Sequence, residues 1–252
     1  MIGIGATLFK VPTMHGGAAF SPKSLFANGE EGAWYDPSDL SSMFQNSDGT
    51  TAVAVGDPVG YIADKSGNGN HAIQATSTKR PTLRQDGSLY YLDFEGDDAL
   101  ATSAIDFTGS DQLTVCSGAK KDTNTTMVIG ELSSSIGSNT GAFRLASLSD
   151  TWRYSSKGDG AAINVNATTY GAGSLSVLTG LSDISDPVTT IRVDGVQKAT
   201  SASSPGAGNY GNHPLNIGAR NNGASLFLDG RIYGFVIRDV LSSGSDRDWE
   251  TC

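Results

Sequence analysis

Apolar and polar residues alternate with a period of two along most of this chain. Tyr90, Leu92 and Phe94 share one face with Tyr91 and Asp93 on the other, Phe143 and Leu145 flank Arg144, Ile163 and Val165 flank Asn164, and Ile191 and Val193 flank Arg192. Such alternation predicts half-buried strands. Turn chemistry separates them at Ser66-Gly67-Asn68-Gly69-Asn70, Glu95-Gly96-Asp97-Asp98, Lys157-Gly158-Asp159-Gly160 and Asn221-Asn222-Gly223. Asp194-Gly195 is the strongest two-residue hairpin signal. Ile232-Tyr233-Gly234-Phe235-Val236-Ile237 is apolar on both faces and suits a central strand. Before this region, Asp36 can cap a helix, Pro37 takes its first position and Asp39 stands as a capping-box acid ahead of Leu40, Met43 and Phe44, which predicts a short helix near 37–45. Residues 1–25 are Gly-rich and aperiodic and read as an arm or linker, with the sandwich over 26–252. Many short strands without βαβ alternation, repeats or heptads make the fold all-β, an antiparallel β-sandwich.

Composition narrows the function. The 252 residues carry 26 acids against 17 bases, a net charge of −9 with a pI near 4.7, and no basic run. Counterion release from nucleic acid and attraction to anionic lipid both need the opposite sign. Neither nucleic acid nor membrane insertion is expected, because no run is apolar for the length of a span. Met1-Ile2-Gly3-Ile4-Gly5-Ala6 lacks the basic and apolar regions of a signal peptide, so folding in a cytoplasm is expected. Cys116 and Cys252 are far apart and His15, His71 and His213 have no ligand spacing, which predicts neither a disulfide framework nor a zinc site. Cys116 reads as a small buried hydrophobe.

Several segments resemble the concanavalin A-like (LamG-type) lectin/glucanase jelly rolls. Asp64-Lys65-Ser66-Gly67-Asn68-Gly69-Asn70-His71-Ala72 is similar to that family's D-x-S-G-N-G-N-H-G turn, departing at Ala72, and Tyr91 through Leu100 to its L-x-F-D-G-x-D-D-x-L strand and turn. Thr190 through Val196 resembles the Y-V-D-G-V hairpin. Leu215 through Tyr233 resembles the closing I-G-…-D-G-x-I pair, and Val240-Leu241-Ser242 the L-S that follows. The order and spacing of these motifs over residues 60–245 imply a jelly roll. Ser21 through Leu40, leading to the Asp64 turn, resembles the opening of small virion proteins of tailed phages and prophages. That likeness implies a virion protein made in a bacterial host cytoplasm, in capsid, neck or tail, with other virion proteins as partners.

Three functions compete: a structural or decoration protein, a glycan-binding module of a tail tip or fibre, and a glycan-cleaving enzyme. Retaining glucanases of this family resemble one another in an E-x-D-x-E strand that sets two carboxylates on one face. The five glutamates, Glu30, Glu31, Glu95, Glu131 and Glu250, do not form it, and no G-x-S-x-G elbow occurs, so the chain is expected not to be an enzyme. Asp97 and Asp98 fall where related jelly rolls place carboxylates on calcium, and Asp64 and Asn68 offer further oxygen ligands. Turn chemistry explains the same four residues. Sugar stacking would use Trp152 and Tyr154, or Tyr210 with Asn209, His213, Asn221 and Asn222 on Gly-rich loops. Filling the core is the commoner fate of an alternating pair such as Trp152 and Tyr154 and is the reading favoured for it, as plain loop filling is for Tyr210 and His213. Strand candidates around 163–165 and 175–177 carry neither Lys nor Pro, and unprotected edges invite partners. A homo-oligomer is therefore expected, a trimer by the phage likeness, with host cell-surface glycan as a further partner.

Overall fold

The fold is that of a computed structural model, which describes residues 21–244 and Arg247. The chain enters through β1 (Gly32–Tyr35), β2 (Met43–Phe44), β3 (Tyr61–Ile62), β4 (Ala72–Ile73), β5 (Thr82–Asp86) and β6 (Leu89–Glu95). It continues through β7 (Leu100–Asp106), β8 (Gln112–Lys121), β9 (Met127–Leu132), β10 (Ala142–Leu148), β11 (Thr151–Lys157) and β12 (Ile163–Ala167). The last strands are β13 (Leu175–Asp183), β14 (Val188–Val193), β15 (Val196–Ser201), β16 (Asn212–Ile217) and β17 (Asp229–Arg238). One sheet runs β15-β14-β13-β8-β17-β6-β5, with β1 also on β17; the other runs β12-β11-β10-β9-β16-β7-β4-β3-β2. Every pairing is antiparallel. The two sheets form the expected sandwich.

Alternation decides which side chains fill it. Ala33, Ile237, Val115, Gly180 and Ile191 follow one another in register across the first sheet, as do Met43, Ile62 and Ala72 in the second. These inward rows join one core with Phe94, Phe143, Leu145, Trp152, Tyr154 and Phe235. Gly180 is a packing requirement, since a Cβ there would lie 2.3 Å from the Tyr154 ring. Asp194 and Gly195 both have positive φ and close the β14–β15 hairpin as their pairing predicts.

Three details differ from the expectations. The helix near 37–45 is a single 3-10 turn at Leu40–Ser42, capped by Asp39 on the Ser41 amide, and Met43 then leaves it to pair with Ile62. Strand pairing wins there because Met43 is wholly buried in the core. Of the expected arm, residues 1–20 lie outside the described residues. Residues 22–26 form a 3-10 turn whose Leu25 and Phe26 pack on Trp34, Cys116, Val177 and Val236, a second small core outside the first sheet. Finally, Leu175–Val177 is no sheet edge: it pairs with Lys120–Gly118 of β8, and the Asp194 turn bonds Val177 from the other side. Among the described residues β12 is an edge, as are β2, β5 and β15.

Candidate functional site

A turn rich in Gly and Asn is rigid only if something accepts its amides, and Asp64 does so. Its carboxylate, buried in the turn, accepts from the Trp34 amide at 2.9 Å, the Ser66 amide at 2.8 Å, Ser66 Oγ at 2.7 Å and the Asn70 amide at 3.0 Å. Gly67 and Gly69 supply the positive φ angles that let the chain wrap this carboxylate. Asn68 and Asn70 donate outward to β1, Nδ2 of each reaching the Gly32 carbonyl at 3.1 and 2.8 Å. His71 Nδ1 accepts the Asp64 amide at 3.0 Å, so the neutral imidazole carries its proton on Nε2.

This scaffold builds one wall of an open groove of about 290 Å³, lined by Ser47, Tyr61, Gly69, Asn70, His71, Ile73 and Ser103. Phe44, Tyr61 and Ile73 are opposite one another in register, so they share the outer face of β2, β3 and β4. The half-buried Tyr61 ring is held edge-on by Phe44 at 5.6 Å and faces His71 at 5.2 Å, and Ile73 stays 41% exposed. An aromatic face, an exposed aliphatic and several hydroxyl and amide groups therefore meet at one place. That combination suits a ligand with an apolar face and a polar rim. Sequence reasoning passed over Tyr61, because a two-residue strand shows no period; the only signal was His71 within the Asp64 motif.

The sequence candidates fare differently. The four calcium candidates do not make one ligand set. Asp64 is committed to four donors, Asn68 Nδ2 to backbone carbonyls of Glu30 and Gly32, and Asp98 Oδ2 to the Glu95 amide at 2.9 Å, while Asp97 is exposed. No three Asp, Glu, His or Cys side chains among the described residues converge as an ion would require. Burial pushes the Asp98 pKa up, with smaller contributions from Asp97, Glu95 and Asp93 opposing the bond from the Glu95 amide. A raised folded-state pKa means that stability is lost as pH rises from the ordinary value through the raised one. Asp98→Asn, which keeps an acceptor for the Glu95 amide, is expected to raise the melting temperature at pH 7 and to leave it unchanged near pH 3. Thermal melts at the two pH values check this; a lower melting point at pH 7 would contradict it.

Of the glycan candidates, Trp152 and Tyr154 take the core role expected of an alternating aromatic pair, and Tyr210 is corrected from a loop residue to a core residue; all three are buried. Tyr154 lies over Gly180, and its hydroxyl and that of Tyr210 meet Ser182 Oγ at 2.7 and 2.6 Å. Burial pushes the Tyr210 pKa up to about 12. These rings cannot stack on a sugar. Asn209 is exposed but gives Nδ2 to the Thr108 carbonyl, and His213 Nε2 lies 2.9 Å from the Thr140 carbonyl. Asn221 and Asn222 form an exposed left-handed turn pinned by Asn216 Oδ1. None of these seven lines the Tyr61 groove.

Solved structures with this fold include the binding domain of Paraclostridial Mosquitocidal Protein 1 (12% identity, TM-score 0.56, covering 75% of this chain and 48% of that one). Another is a botulinum neurotoxin type C structure, whose cell entry is described as dependent upon interaction with two ganglioside molecules (12% identity, TM-score 0.55, 74% and 47%). A third is the binding domain of botulinum neurotoxin DC in complex with rat synaptotagmin II (12% identity, TM-score 0.52, 75% and 47%). The chain spans about half the length of these solved chains, and at such identity the likeness is one of fold. No curated protein matches the sequence. The model of the concanavalin A-like lectin/glucanases superfamily matches residues 94–244, from the end of β6 through β17, and the chain belongs to that superfamily.

Proposed function

We propose that this chain is a non-enzymatic sugar-binding module of a tailed-phage virion, which holds host-surface glycan in the Tyr61 groove. The groove carries the reading. The apolar face of a pyranose packs on the Tyr61 ring and Ile73, while its hydroxyls meet His71 Nε2–H, Asn70, Ser47 and Ser103. Rigidity of the Asp64 turn lowers the ordering cost of binding. The described glutamates support a binding role over hydrolysis. Glu131 is committed to Arg220, Glu30 to Arg238, Glu31 to Asn70, and Glu95 lies within 3.8 Å of Arg84. Two of the toxin structures that share the fold are themselves binding domains, which favours the same use here.

The virion setting is supported by the likeness of residues 21–40 to phage proteins. The β12 edge, with neither Lys nor Pro, offers a surface for neighbouring copies, and a trimer fits such an arrangement. Tyr61→Ala is expected to weaken retention on host polysaccharide at least about tenfold, since an aromatic contact is worth on the order of 1 kcal/mol beyond its buried area. Affinity electrophoresis measures it. Unchanged retention, or release of reducing ends from that polysaccharide by the wild type, would overturn the reading.

A further inference from the structure

Arg144 is a cation whose neighbouring counter-charge is already taken. It stands on the outer face of the second sheet, opposite Glu131 of β9 and Ser155 of β11, while Phe143 and Leu145 on either side enter the core. Glu131 is wholly buried, and its carboxylate accepts Arg220 Nε at 2.9 Å, Arg220 Nη2 at 3.2 Å and the Ile136 amide at 2.6 Å. Ser155 Oγ donates to Asn164 Oδ1, and Arg153, diagonal to Arg144 on the same face, gives Nε to Asn166 Oδ1 at 2.8 Å. No hydrogen bond or ion pair among the described residues engages the Arg144 guanidinium, and its Nε is buried without an acceptor.

The Arg144 side chain is half-buried, and a guanidinium nitrogen that has lost water and gained no acceptor, as its Nε has, is costly. Burial pushes the Arg144 pKa down; Glu131 acts against that, and Arg220 and Arg153 add to it. The charged neighbours of Arg144 are thus two further arginines and one carboxylate that Arg220 already engages, within a chain of net charge −9. Local charge and missing acceptor ask for the same thing, an anion.

We propose that Arg144 anchors a second ligand subsite, which takes the carboxylate of an acidic sugar between Arg144 and its neighbours Arg153 and Arg220. The planar guanidinium can meet a carboxylate with paired N–H donors, which a lysine cannot match. Tyr61, Ile73, Ala101, Asn216, Glu131 and Arg144 follow one another in register across the sheet. Five strand spacings separate Tyr61 from Arg144, roughly 24 Å. The two subsites are therefore distinct and share one face, and this one does not require the groove to bind sugar.

Calorimetry at low salt on the full chain tests it, with tetragalacturonate, its methyl ester and sodium sulfate as probes. The wild type is expected to bind the free acid at least tenfold more tightly than the ester. Arg144→Met should abolish that preference, Arg144→Lys should weaken it, and Tyr61→Ala should keep it. Arg144→Met retains the apolar stem and removes an unpaired charge, so it should melt no lower than the wild type, which separates lost binding from lost fold. Equal affinity for acid and ester, wild-type behaviour of Arg144→Met, no binding of any probe, or binding of sulfate without the sugar acid would each overturn the acidic-sugar assignment. Loss of the preference in Tyr61→Ala would overturn the independence of the subsite.

Discussion

Glu131→Ala is expected to destabilise the protein by about 4 kcal/mol, because breaking a buried ion pair from one side leaves the partner charge uncompensated. The substitution strands the Arg220 guanidinium and the Ile136 amide, which both lean on this carboxylate. It also opens a hole beneath the loop after β9. Removing both charges behaves differently: a Glu131→Leu and Arg220→Met double variant should recover most of the loss, since a well-packed apolar pair can replace a buried ion pair at little cost. Urea unfolding of Glu131→Leu, Arg220→Met and the double variant measures the coupling. A loss below about 1 kcal/mol in Glu131→Ala would mean that solvent, not the protein, satisfies Arg220.

Asp64→Ala comes next, at about 3 kcal/mol, the size expected when a charged acceptor is removed from several buried donors. Amides of Trp34, Ser66 and Asn70 lose their acceptor together, and two of these three belong to the groove-building turn. Amide hydrogen exchange should accelerate at all three positions, and sugar retention should fall with it although Asp64 itself lies outside the groove lining. Asp64→Asn is a sharper probe. It preserves shape but turns one accepting oxygen into a donor that faces other donors, so it should recover only part of the loss. Normal exchange at Trp34 in either variant would show that β1 is held without the turn.

Much of the architecture was legible in residues close together in sequence. Period-two alternation marked β6, β10, β12 and β14, Asp194-Gly195 marked a hairpin, and the two-faced apolar run marked β17 as central. The motif from Asp64 to His71 was legible as a turn and, through resemblance, as a feature of the family. The site was not. Alternation says that Trp152 and Tyr154 share a face, yet only the opposite sheet, with Gly180 directly over the Tyr154 ring, says that this face is sealed. Tyr210 sat in a Gly-rich loop and looked exposed, but its hydroxyl meets Ser156 and Ser182 within the core.

Local sequence therefore determined the all-β class, the principal strands, the tight turns and the negative charge. These depend on backbone preference and side-chain pattern over a few residues. Tertiary structure alone decided that Tyr61, His71 and Ile73 border one groove, that Glu131 serves Arg220, and that Arg144 on the same face is left without an acceptor. Such facts depend on pairings between strands tens of residues apart: alternation fixes which residues share a face, whereas what covers that face is set by whichever distant segment packs against it.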